Sequence, residues 1–93
     1  MRFRVEGELG EASICHCRMC QKAMGGLFGP FAGAPVDALA WTRGQPKRFQ
    51  SSNRVRRGFC GDCGTPLTYE YGERLVGLAI GALDRPADAR FTE

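Results

Sequence analysis

Long apolar runs are missing from this 93-residue chain. Its most apolar window, GLFGPFAGAPV at 26–36, is interrupted by Gly and Pro. It falls far short of the roughly 18–20 residues that span a bilayer, which excludes a membrane-spanning helix. The first residues, MRFRVEGELGE, lack the apolar central region of a secretory signal. Repeats, low-complexity segments and internal boundaries are also lacking. These absences lead us to expect one cytoplasmic domain over 1–93 with no membrane partner. Excess charge is scarce as well: the net charge of +3 does not by itself argue for nucleic acid or membrane. With 43% hydrophobic and 25% charged residues, the composition excludes disorder. A core of this size is thin, burying roughly 60–65% of the unfolded surface, so a metal staple would contribute noticeably.

What the chain does have is cysteine in two clusters. All five lie in CHCRMC at 15–20 and FCGDCG at 59–64. In a reducing compartment, clustered cysteines are metal ligands or redox groups more often than disulfides. Cys60 and Cys63 have the spacing of a zinc knuckle, in which two intervening residues let both sulfurs reach one ion. Gly61 and Gly64 can bring backbone N–H groups towards the sulfurs. A redox CxxC usually opens a helix, where a thiol pKa is lowered. Here Gly64, Thr65 and Pro66 follow instead, so metal is the better reading. In the first cluster a CxC and a CxxC share Cys17. Three thiolates at this spacing, Cys15, Cys17 and Cys20, can face one zinc ion and leave its fourth position open. Equally compatible with the spacing is one closed four-cysteine site, two of these joining Cys60 and Cys63. An internal disulfide is a third possibility.

Alternation of Phe3 and Val5 with charged neighbours predicts a strand, broken by Gly7 and Gly10. The composition of 17–24 favours a short helix stopped at Gly25-Gly26. Leu27 to Ala34, interrupted by Pro30, predicts a strand that bends or sits at an edge. Further strands are expected at 39–42, 47–50, 54–59, 66–71 and 75–83, with turns at 43–46, 51–53 and 71–73. Asp84-Arg85-Pro86 ends the last strand, and a polar tail follows. The fold class is therefore mainly β, with one short helix attached to the first cysteine cluster. Trp41, Phe49, Phe59 and the 75–83 stretch are expected in the core.

CHCRMCQKAMGG, RVRRGFCGDCGTPL and GALDRP, in this order, resemble the glutathione-dependent formaldehyde-activating enzymes, which share their zinc domain with centromere protein V. The resemblance covers residues 1 to about 86. It implies an Mss4-like zinc-binding β domain and a Zn2+ cofactor. By matching position, it implies that Cys15, Cys17 and Cys20 hold the catalytic zinc and that Cys60 and Cys63 form half of a structural site. The family's N-terminal CxC, the other half, stands just before a strand like the one at 1–5, where this chain begins. The chain is then a shortened member, or its start was placed too late. With two ligands fewer, one zinc could draw on both clusters. The implied reaction is a carbon–sulfur lyase reaction in reverse, joining glutathione and formaldehyde into S-(hydroxymethyl)glutathione.

Between Asp37 and Asp62 there is no acidic residue, while Arg43, Lys47, Arg48, Arg54, Arg56 and Arg57 fall in the gap. Arg54, Arg56 and Arg57 are candidates for the two carboxylates of glutathione, although a solvated basic face is the simpler reading. In a strand, Arg54 and Arg56 share one face and Arg57 takes the other, so the three cannot all serve one ligand. His16, between two of the thiols, is a substitute ligand that alternation points away. Three functions follow: a zinc enzyme acting on a glutathione–aldehyde adduct or a related small thiol, a non-catalytic zinc module that binds a partner, and a nucleic-acid-binding zinc domain. The last is weakened because only Phe49 lies within the basic run, whereas single-strand binders interleave aromatics.

Overall fold

Small residues and alternating patterns set the architecture. The computed structural model describes residues 1–7 and 9–85. Eight strands are all antiparallel: β1 (Arg2–Val5), β2 (Ala12–Cys15), β3 (Gly29–Pro35), β4 (Leu39–Arg43), β5 (Lys47–Gln50), β6 (Arg56–Phe59), β7 (Pro66–Glu70) and β8 (Leu75–Ala79). One helix, α1 (Arg18–Met24), follows β2. Strands β1 and β4 form a two-stranded sheet. The other six are ordered β2-β3-β8-β7-β6-β5. The mainly β class with one short helix is as the sequence predicts.

Helix α1 begins at Cys17 and stops at Gly25, whose φ of 66° is left-handed. Glycine adopts that conformation without a Cβ penalty, and its N–H closes on the Gln21 carbonyl. The helix lies against β3 because Gly29 leaves room. A Cβ at Gly29 would sit 3.2 Å from Cβ of Cys20 and 2.8 Å from the Phe31 ring.

Several expectations need correction. Strand β2 arises at 12–15, where no strand was expected. Its burial pattern is not alternating, so it lacks the usual signal. Strand β3 is not an edge strand but lies between β2 and β8. Pro30 is tolerated because pairing with β8 begins only at Phe31, so no β8 partner needs the missing N–H. Strand β6 starts at Arg56 rather than at 54, after a bend. Strand β8 ends at Ala79 and passes into a 3-10 turn at Ile80–Ala82. Pro86 and the expected polar tail lie outside the described residues. The core is built from Ala12, Ala32, Ala34, Phe31, Leu67, Val76, Leu78, Ala79 and Ile80. Trp41 and Phe59 are half-buried, whereas Phe49 and Leu75 are exposed.

Register decides what reaches the site. One row of paired residues crosses the six-stranded sheet as Phe49, Arg57, Tyr69, Gly77 and Gly33. The next row, on the opposite face, is Gln50, Arg56, Glu70, Val76 and Ala34. In the first row Gly77 carries no side chain. The rings of Phe31 and Tyr69 therefore meet over it, their centroids 5.5 Å apart.

Candidate metal centre

Strand β2 delivers Cys15 at its end, Cys17 begins α1, and Cys20 lies one turn into the helix on its buried side. A strand running directly into a helix thus gathers three thiols with no long loop between them. Their sulfurs all lie within 4.8 Å of one another, and among the described residues this is the group of three or more ligating side chains able to hold a metal ion. Cys15 Sγ donates to Cys17 Sγ at 3.4 Å. In a tetrahedral zinc site with sulfur bonds near 2.3 Å, neighbouring sulfurs are about 3.8 Å apart. One separation is 3.4 Å and none exceeds 4.8 Å, so the donor set fits a thiolate-preferring ion.

The three thiols differ in their surroundings. Cys17 is exposed, Cys15 is half-buried, and Cys20 is fully buried. Burial pushes the Cys20 thiol up to about 11, against the pull of a neighbouring guanidinium. Cys17 is lowered to about 7, first by the backbone N–H of Cys20 and then by the neighbouring thiols. Its sulfur makes no full capping hydrogen bond, but the N–H above it still favours the thiolate.

The guanidinium belongs to Arg57, which is only 5% exposed. Its Nη2 donates to Cys20 Sγ at 3.3 Å, its Nε donates to Ser51 Oγ at 2.9 Å, and it lies 4.9 Å from the centroid of the Tyr69 ring. Burial also raises the Tyr69 phenol, so the ring is neutral. Among the described residues no carboxylate pairs with Arg57. A buried cation is costly unless it is paired. Among the described residues, the group beside it that can become its counter-charge is the Cys20 sulfur.

Arg54 and Arg56 lie elsewhere. Arg56 donates to Glu70 across the other face of the sheet, as does Arg48. All three of these arginines line a separate hollow with Trp41 and Tyr71. The structure therefore brings Arg57 alone to the thiols. His16 is exposed and tilts against the Phe28 ring, centroids 5.8 Å apart, and does not join the thiol group.

Cys60 and Cys63 form a separate tight turn. Gly64 N–H donates to the Cys60 carbonyl at 2.7 Å, and the Cys60 N–H donates to the Thr65 carbonyl at 2.9 Å. Cys63 Sγ lies 3.0 Å from the Thr65 hydroxyl, which lowers that thiol. The pair lines an open hollow bordered by β1 and the residues after β8, and it does not join the group of Cys15, Cys17 and Cys20. Sequence reasoning did not find the roles of Ser51 and Tyr69. The alternation of Tyr69 within β7 was visible, but its pairing with Arg57 required the register.

The family model of the glutathione-dependent formaldehyde-activating enzymes matches residues 1–92. The chain belongs to this family. The matched region contains both cysteine clusters and Arg57. A crystal structure of a Rhodobacter sphaeroides protein from structural genomics shares the fold. It has a TM-score of 0.71 and 22% identity, with 97% of this chain and 90% of that chain covered. Comparison of the sequence with curated proteins gives no match. Among the described residues no helix is long and apolar enough to cross a membrane.

Proposed function

We propose that the chain is a cytoplasmic zinc enzyme of carbon–sulfur chemistry that joins a small thiol to an aldehyde and reverses that reaction. Glutathione and formaldehyde are the pair that the family's name supplies. One observation carries the reading: three thiols stand together beside a buried guanidinium that no carboxylate pairs among the described residues. Three thiolates against one guanidinium leave two negative charges, the number that a divalent cation brings to zero. Without the ion, Arg57 faces a Cys20 thiol whose burial retains its proton. Zinc bound there would displace that proton and give Arg57 its counter-charge.

Cys15, Cys17 and Cys20 would hold zinc, which supplies an open position able to accept a thiol and keep it deprotonated at neutral pH. Exposed Cys17 marks the side from which substrate arrives, while Arg57 and Tyr69 close the buried side. In the reaction, the substrate's sulfur forms a bond to the aldehyde carbon. The carbonyl π pair moves to oxygen, and the thiol proton ends on that oxygen. The protein contributes positioning and charge control. Arg48 and Arg56 are engaged by Glu70, which argues against the nucleic-acid reading of the basic run.

The test is cobalt substitution followed by titration with glutathione and with S-methylglutathione. Glutathione should strengthen the sulfur-to-metal absorption, and S-methylglutathione, which keeps both carboxylates, should not. If millimolar glutathione leaves the spectrum of a cobalt-loaded protein unchanged, the open-site reading is wrong and a closed, non-catalytic zinc module is the better one.

A further inference from the structure

The sheet face opposite Arg57 and Tyr69 carries a hollow of its own, of about 550 Å³. The two-stranded sheet shapes it. Leu39 of β4 packs with Phe3 and Val5 of β1 over Ala34, Val76 and Leu78 on β3 and β8. Towards β5, β6 and β7 the same face lines the hollow with Arg48, Gln50, Arg56 and Glu70. Trp41 of β4 and the exposed side chains of Tyr71 and Leu75 form its apolar part.

The charged part is a fixed network. The Glu70 carboxylate, 17% exposed, accepts from the Thr68 hydroxyl at 2.7 Å, from Arg48 Nε at 2.8 and 3.0 Å, and from Arg56 Nη2 at 3.2 Å. Thr68 is itself buried, and its hydroxyl accepts from the Gly58 N–H at 3.1 Å. Gly58 leaves the room for this, since a Cβ there would overlap the hydroxyl. Two guanidiniums are thus held at one oxygen, Glu70 Oε1, with less freedom left to lose when a ligand arrives. Arg48 engages Glu70 through Nε and Arg56 through one Nη, so each keeps further N–H donors. Arg54 lines the same hollow, is exposed, and has no partner among the described residues. Three guanidiniums and one carboxylate leave two positive charges beside aromatic and aliphatic surface.

Guanidiniums pair with the oxygens of both carboxylates and phosphates. A dicarboxylate spreads its two charges over separate groups, whereas a phosphate monoester concentrates nearly two on one group at neutral pH. Cations gathered on a single carboxylate oxygen suit the concentrated charge. Trp41 and Tyr71 offer rings to a ring. The volume falls within the roughly 300–1,000 Å³ of small-molecule pockets. We infer that this hollow is a second ligand site, separate from the metal centre, for a phosphate monoester carrying an aromatic group of up to nucleoside size. The site does not rest on the thiol–aldehyde chemistry.

Trp41 is the single tryptophan of the chain, so its fluorescence in the zinc-loaded full chain reports on the hollow. Phenyl phosphate should shift that fluorescence and bind at least tenfold more tightly than inorganic phosphate. Phenyl sulfate keeps the ring with one charge and should bind at least fivefold more weakly than phenyl phosphate. S-methylglutathione, with two separated carboxylates, should bind at least tenfold more weakly. Arg54→Gln breaks no contact among the described residues. It should weaken phenyl phosphate at least fivefold while zinc content and melting temperature stay unchanged. Tyr71→Ser should remove most of the preference over inorganic phosphate. A folded Arg54→Gln protein with wild-type affinity for phenyl phosphate overturns the site, as does fluorescence that no anion shifts. Equally tight binding of inorganic phosphate, of S-methylglutathione or of an oligonucleotide without a terminal phosphate overturns the assigned ligand class.

Discussion

Replacing Arg57 with methionine should weaken metal binding without weakening the metal-free fold. Methionine keeps an unbranched stem in the same place and removes the charge. In the metal-bound state the loss would be the buried N–H···S hydrogen bond to Cys20, 3.3 Å long in this structure, made then to a thiolate. Hydrogen bonds to charged groups contribute about 1.5–3 kcal/mol. At 1.4 kcal/mol per tenfold, metal affinity should fall by about 10- to 150-fold. In the metal-free protein the balance differs. The variant gives up the Ser51 bond, the bond to the neutral Cys20 thiol and the contact over Tyr69, about 2–4 kcal/mol together. It also removes a 5%-exposed cation that no carboxylate pairs among the described residues, and with it a desolvation cost of several kcal/mol. The metal-free melting temperature should therefore hold or rise. Zinc competition against a chromophoric chelator measures the first quantity, and thermal unfolding in excess chelator measures the second. Arg57→Lys, a point charge with one fewer anchoring arm, should fall between wild type and Arg57→Met in affinity. An Arg57→Met protein that folds and keeps wild-type zinc affinity would refute the assignment of Arg57 as counter-charge to Cys20.

In metal-stripped protein, Cys17 is lowered from 9.0 to about 7, so its alkylation by iodoacetamide should rise through pH 7 and level off about one unit above. Cys20 should stay silent until the pH nears 11, and mass-mapped labelling against pH that places the Cys17 midpoint near 9 would overturn this. Cys60→Ser should lower thermal stability and zinc content together if the second turn holds metal, and full retention of both would make that pair a bystander. Glu70→Gln should cost about 1 kcal/mol in denaturant unfolding by releasing Arg48 and Arg56, yet leave zinc affinity unchanged, since it acts on the opposite face.

The parts of the fold legible in the sequence were those with strong local patterns. Alternation revealed β1 and β7, composition and a double glycine framed α1, and the Arg-Gly-Gln-Pro turn separated β4 from β5. Short spacing gathered Cys15, Cys17 and Cys20 because a strand–helix junction brings such neighbours together without tertiary help. Strand β2 was hidden because its four residues do not alternate in burial. The interior position of β3 was hidden because Pro30 looks like an edge signal until the β8 register is known. Sequence periodicity did separate Arg57 from Arg54 and Arg56. It could not say which face of β6 looks at Cys20, nor that Phe49 would remain outside the core. Those facts depend on pairing between segments far apart in the chain.

The distance along the chain between Cys20 and Arg57 has a consequence for how the protein matures. The three thiols assemble within six consecutive residues, as soon as the first strand–helix junction forms. The cation that neutralises them comes from 37 residues away. In the finished sheet it reaches the thiols through β6, which β7 and β8 link to β3. An ion held by the thiols alone would lack that counter-charge and exchange more freely. An ion held with Arg57 in place would exchange slowly, because the charge is then balanced. Slow metal exchange would therefore mark a sheet assembled as far as β6.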